Sequence, residues 1–102
     1  MASLWIREFA EVGNAPSASA GAGNIAVPKE PGTDQAVLSF TTTAQSAAFG
    51  TTTKFIRIYS SADFHYVVAA NPTATTAGMK GKADTYIDLG VTAGHKIAAV
   101  TA

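Results

Sequence analysis

Period-two alternation of side chains, with no helical period to compete with it, is the feature that most restricts this chain. Ala36, Leu38 and Phe40 alternate with Val37, Ser39 and Thr41, and Phe55, Arg57 and Tyr59 with Lys54, Ile56, Ile58 and Ser60. Phe64, Tyr66 and Val68 alternate with His65, Val67 and Ala69, and Thr85, Ile87 and Leu89 with Asp84, Tyr86 and Asp88. Residues two apart share one face of a strand, so each run offers a strand with two distinct faces. No window of a dozen residues carries apolar side chains at i, i+3, i+4 and i+7 against a charged face. Threonine runs at 41–43, 51–53 and 75–76 add β-branched residues suited to a pleated surface.

Turn signals punctuate these runs. Pro31-Gly32-Thr33-Asp34 reads as a turn, and Ala93-Gly94 precedes a last apolar run, Lys96 to Val100. Ile25-Ala26-Val27 is a short strand stopped by Pro28, and residues 14–24 are loop by composition. Residues 44–50 read as a bent crossover closed by glycine and threonine, and 70–83 as a long loop. Ser60-Ser61-Ala62-Asp63 is a short polar link that predicts a hairpin over 54–69. The expected fold is all-β: a small single-domain sandwich or barrel of about six to eight short antiparallel strands. Phe40, Phe49, Phe55 and Phe64 are its expected core aromatics.

Residues 4–12 alternate less cleanly. Trp5, Arg7, Phe9 and Glu11 fall on one face and Leu4, Ile6, Glu8, Ala10 and Val12 on the other, so neither is purely apolar. This predicts an edge, an arm or a contact surface, and it divides the chain into an N-terminal arm with its Ala/Gly/Ser loop (1–24) and a β domain (25–102). Tryptophan, arginine and phenylalanine together have the composition of an interface anchor; Trp5 plugging one end of the fold is the competing reading. Trp5, Arg7, Phe9 and Glu11 are therefore candidate partner contacts. Lys80 and Lys82, flanking Gly81 at a basic tip, are two more, with an ordinary solvated loop as the plainer alternative.

Charge and chemistry narrow the function. The 102 residues carry seven basic and seven acidic side chains, a net charge of zero, and only 14% of residues are charged. Such a surface does not repel copies of itself, and it lacks the basic footprint a nucleic-acid partner requires. Without cysteine there are neither disulfides nor thiolate metal sites. His65 and His95 stand thirty residues apart, with no second ligand at metal spacing, although Asp63, Asp84 or Asp88 could approach them in space. There is no nucleophile elbow, and Asp84 with Asp88 is as readily a solvated face as a glycosidase pair. Gly21-Ala22-Gly23 lacks the helix that a phosphate cradle needs. No catalytic residue, cofactor, metal, membrane or small-molecule substrate is expected. No secretory signal or span of ~18 apolar residues is visible, which predicts a product made in a cytoplasm.

The stretch Phe55-Ile56-Arg57-Ile58-Tyr59-Ser60-Ser61-Ala62-Asp63-Phe64-His65-Tyr66, with Pro28-x-Glu30-Pro31-Gly32 before it and Asn71-Pro72-Thr73-Ala74-Thr75 after it, resembles small virion proteins of tailed bacteriophages. The similar stretches cover most of residues 25–100. These are short Ala/Thr-rich β proteins, often encoded beside the major capsid protein. The resemblance implies a capsid decoration or cement role on the phage head, with the major capsid protein and copies of the chain itself, as a trimer, for partners. A tail or fibre module and a carbohydrate-binding module remain alternatives; the latter would need a platform drawn from Trp5, Tyr59, Tyr66 or Tyr86.

Overall fold

The computed structural model describes residues 2–16, 24–28 and 30–102, with the side chains of 12–16 and 24–28 left aside. Eleven strands and no helix make up the described residues: β1 (Ala2–Phe9), β2 (Val12–Pro16), β3 (Asn24–Pro28), β4 (Thr33–Asp34), β5 (Leu38–Phe40), β6 (Ala44–Gln45), β7 (Phe55–Ser60), β8 (Phe64–Ala69), β9 (Met79–Gly81), β10 (Tyr86–Gly90) and β11 (Lys96–Thr101). They exceed the expected number because short pieces of two or three residues (β4, β5, β6, β9) count as strands. Of the stretch expected to be a loop at 14–24, residues 14–16 and Asn24 lie in strands, and 17–23 fall outside the described residues.

Two antiparallel sheets face each other across one core. The first runs β10-β7-β1-β4, with β5 also paired to β1. The second runs β6-β11-β8-β9, and β2 pairs with β3 as a separate two-stranded ribbon. β4 and β5 lie in tandem along the same edge of β1, at Arg7–Glu8 and at Ala2–Leu4, and the Gln35 amide donates to the Ile6 carbonyl between them. The chain then crosses to the second sheet, where β6 pairs with β11. The all-β domain expected from the alternation is the fold observed, and of the sandwich and the barrel it takes the two-sheet form.

Parity decides what fills the core. Leu4 and Ile6 of β1, Ile56 and Ile58 of β7, Phe40 of β5, Phe64 of β8 and Ile97 and Ala99 of β11 form one buried cluster. Each fully buried Leu, Ile or Phe contributes about 1.5–3 kcal/mol from water exclusion. Phe49 joins them, held where its amide donates to the His95 carbonyl and its own carbonyl accepts from Gly94. Phe55 does not: it faces outward and stacks on Phe9 with centroids 4.8 Å apart.

Three expectations are corrected. First, 54–69 is not a hairpin, because β7 and β8 lie in different sheets. β1 and β10 occupy both edges of β7, so the 61–63 link turns a corner between the layers. That corner is tied by the Ser60 hydroxyl, which donates to the Ala62 carbonyl and accepts from the Ala62 amide. Second, Ala2–Phe9 is neither arm nor edge. It is an interior strand, matched to β7 through six residue pairs and to β4 and β5 on its other side. Of its two mixed faces, the one with Leu4, Ile6 and Glu8 turns inward, and the interior satisfies the Glu8 charge. Third, the 70–83 stretch contains β9 and is fastened to the body, with Pro72 and Ala74 buried. The Gln45 amide donates to the Pro72 carbonyl, and the Ala74 amide donates to the Thr43 hydroxyl.

Candidate binding surface

Because β1, β7 and β10 lie side by side in register, residues from distant parts of the chain line up in rows on the outer face of the first sheet. Trp5, Tyr59 and Tyr86 are directly opposed across these three strands. Their rings touch in sequence: Trp5 and Tyr59 have centroids 5.7 Å apart at 62°, and Tyr59 and Tyr86 5.1 Å apart at 48°. Trp5 is 44% exposed and Tyr86 69%. Cross-strand aromatic contacts of this kind are worth roughly 0.5–1.5 kcal/mol each, yet they leave nearly half of Trp5 and most of Tyr86 in water.

One step along the strands lies a row of charge: Asp34, Arg7, Arg57 and Asp88 on β4, β1, β7 and β10. Two arginines face each other at its centre, an arrangement that is unfavourable taken alone. Each is turned outward onto a carboxylate instead. Arg7 grips Asp34 through Nε and Nη2 at 2.6 and 3.1 Å, and its Nη1 reaches Glu30 at 2.9 Å. Arg57 grips Asp88 through Nε and Nη2 at 2.8 and 3.0 Å. These forks raise both guanidinium pKa values and lower those of Asp34 and Asp88, the hydrogen bonds being the largest cause in each case. The pairs are exposed, so they orient side chains more than they stabilise the fold.

The two rows border a groove of about 590 Å³ lined by Trp5, Val37, Tyr59, Tyr86, Glu30, Asp34 and the two arginines, among others. Gly32 lets the chain pass close over two of these side chains: a β-carbon there would come within 2.7 Å of the Arg7 stem and 2.9 Å of the Phe9 ring. Tyr59 donates from its hydroxyl to Asp84, 2.8 Å away, in a turn where Asp84 adopts a φ of 57°. That hydrogen bond, then burial, then the negative charge of Asp84 raise the Tyr59 pKa.

The residues expected to touch a partner are thus distributed unevenly. Trp5 and Arg7 line the groove, but Arg7 already has its carboxylates within its own chain. Phe9 lines the groove too, but it is 2% exposed and stacked on Phe55, so it contributes little open surface. Glu11 is exposed just beyond β1, beside a smaller hollow with Ala10, Glu30 and Pro31. Lys80 and Lys82 stand elsewhere, on and just after β9 of the second sheet. Of the rings named for a sugar platform, cross-strand register joins Tyr59 and Tyr86 to Trp5, whereas Tyr66 packs against the core beside Phe64. Asp84 and Asp88 are separately engaged, by Tyr59 and Arg57. His65 meets the Gly78 carbonyl through Nδ1 at 3.0 Å. Among the described residues, no three of His, Asp and Glu converge as a metal-binding group.

The carboxylate that the alternation places among apolar neighbours lies on the inner side of the same strand. Glu8 is 9% exposed. It accepts from the Thr53 hydroxyl at 2.6 Å, the Gly50 amide at 2.7 Å and the Gln35 side chain at 3.0 Å. Burial, the largest single influence, pushes its pKa up, but the three donors together outweigh it and hold the carboxyl below its ordinary value. Compared with known proteins, the chain matches no family model, no curated protein and no solved structure.

Proposed function

We propose that this chain is a non-enzymatic structural module of a phage virion, a capsid decoration or cement protein that binds through the outer face of its first sheet. The observation that carries the reading is the Trp5–Tyr59–Tyr86 row set beside Arg7 and Arg57. Aromatic and arginine side chains are the residues in which protein interfaces concentrate their binding energy. Two rings already held by neighbours lose little freedom when a partner covers them. The sequence resemblance supplies the partners: the major capsid protein and copies of the chain itself, as a trimer on the head surface. The test is co-sedimentation with expanded capsids. W5A and Y86A should keep a cooperative melt, lowered only by the lost ring contact, and lose capsid binding by about tenfold or more. Undiminished binding by both variants would remove this face from the proposal.

Carbohydrate binding is the second reading, favoured by the same three rings standing next to carboxylates and guanidiniums. The rings are inclined at 62° and 48° to one another, so they present no continuous plane for sugar faces to stack on. Protein contact is therefore preferred. Saturable quenching of Trp5 fluorescence by a cell-surface oligosaccharide, abolished in Y86A, would reverse that preference.

A further inference from the structure

The two sheets differ in charge as well as in position. Glu30 and Asp34 line the groove of the first sheet with Arg7 and Arg57, and two further carboxylates, Asp84 and Asp88, are hydrogen-bonded to its lining residues Tyr59 and Arg57. Both guanidiniums are committed to carboxylates, leaving an excess of acid beside the aromatic row. The strands of the second sheet contain Lys80 and Lys96 and no carboxylate, and Lys82 follows directly. Lys80 is opposite His65, whose neighbours Phe64 and Tyr66 turn toward the core, so Lys80 faces away from the core. Gly81 lies against the Phe64 ring, which puts Lys82 on the outward side with Lys80. Met79, 67% exposed, extends the same edge strand. Among the described residues neither lysine forms an ion pair; their charges act on Asp63, whose carboxylate accepts from the Ala83 amide.

We infer that copies of this chain join head to tail, the acidic aromatic groove of one copy receiving Lys80 and Lys82 from the β9 edge of the next. This rests on the self-associating role proposed above and assigns the surfaces that perform it. Complementary charge selects the occupant. An ammonium is attracted to the faces of tryptophan and tyrosine and to carboxylates that outnumber their guanidiniums, as Glu30 and Asp34 do in sharing Arg7. Spacing agrees. Lys80 and Lys82 are two residues apart on one side of an extended segment, about 7 Å. The aromatic and charged rows of the groove are likewise two residues apart along β1 and β7. One ammonium can therefore sit against Trp5 and Tyr86 while the other meets Glu30 and Asp34. Because the two surfaces differ, the contact is heterologous, and repetition generates a ring where the rotation closes and a fibre where it does not. Zero net charge lets the copies approach without overall repulsion.

The test is sedimentation velocity of the full chain at low and at high salt. Wild type should associate at low salt and dissociate as salt rises. K80E/K82E, and separately E30K, should each weaken association about tenfold or more. An equal mixture of the two variants should restore it, because each supplies the surface the other has inverted. Y86A, which leaves every charge in place, serves as a second groove variant should E30K melt abnormally. A chain that is monomeric at low salt, or whose association ignores these substitutions, overturns the inference. Capsid co-sedimentation of the same samples separates the two proposals. A monomer that still pellets with capsids removes the head-to-tail contact alone; assembly through the lysines without pelleting removes the capsid role alone.

Discussion

The Thr53 hydroxyl donates a 2.6 Å hydrogen bond to Oε1 of Glu8, fastening the inner face of β1 to a loop forty-five residues further along the chain. Replacing Glu8 by alanine strands that hydroxyl inside the fold and removes the partner of the Gly50 amide and of Gln35. E8A should cost about 2 kcal/mol and T53V about 1 kcal/mol, read from urea melts at neutral pH with unchanged slopes. The same carboxyl sets an acid limit. Its folded pKa lies below the unfolded value of about 4.3, so the unfolded chain binds more protons between the two. The stabilisation is complete above the unfolded value and is lost as pH falls through the folded one. Asp34 and Asp88, through their arginines, and Asp63, through the Ala83 amide, add smaller terms of the same sign. Melting temperature should be level above about pH 5 and decline below it, with a shallower decline in E8Q.

Gly81 admits no side chain where it stands, because a β-carbon there would overlap the Phe64 ring. G81A should destabilise the domain by about 1–3 kcal/mol through overpacking. Combined with F64L, which vacates part of that space, it should cost less than the two single changes added together. A denaturant double-mutant cycle gives the coupling directly.

Deleting residues 2–9 should abolish the cooperative melt. The deletion removes Leu4 and Ile6 from the core, strips one edge of β7 and leaves β4 and β5 without a neighbour. Loss of the thermal transition, with circular dichroism shifted toward disorder, is the expected result. A truncated chain that still melts cooperatively would mean that β1 is dispensable.

Tyr59 should titrate late. Its hydrogen bond to Asp84, its partial burial and the adjacent charge all favour the protonated phenol. A folded value above the unfolded one of about 10 gives stabilisation that is present below that pH and lost as pH rises through the folded value. Ultraviolet absorbance should resolve, among the three tyrosines, one titrating above the ordinary range. D84N should bring it down while tolerating the positive φ, which asparagine accepts.

Much of the architecture could be read from parity within single strands. Ile56 and Ile58 alternate with Phe55, Arg57 and Tyr59, and the structure buries one set and turns the other outward as that spacing implies. What parity could not supply was the neighbour. A short polar link after Ser60 suits a hairpin or a corner equally, and β1, from fifty residues upstream, settles the matter by taking the edge that β8 would have needed. Glu8 misled for a related reason: the donors that make its burial tolerable come from residues 35, 50 and 53. Trp5 stood out by composition, whereas its companions Tyr59 and Tyr86 are joined to it only through register across three strands.

That register makes recognition conditional on completed folding. Trp5, Tyr59 and Tyr86 are spread over eighty-one positions of chain and adjoin only after β1 and β10 have both paired with β7. A one-residue slip of either outer strand would send its aromatic ring to the opposite face. No fragment or misregistered chain carries the whole row, so a partner that reads all three rings accepts only finished copies. A partner that bound through this proposed surface would thereby inspect each copy, excluding the defective ones.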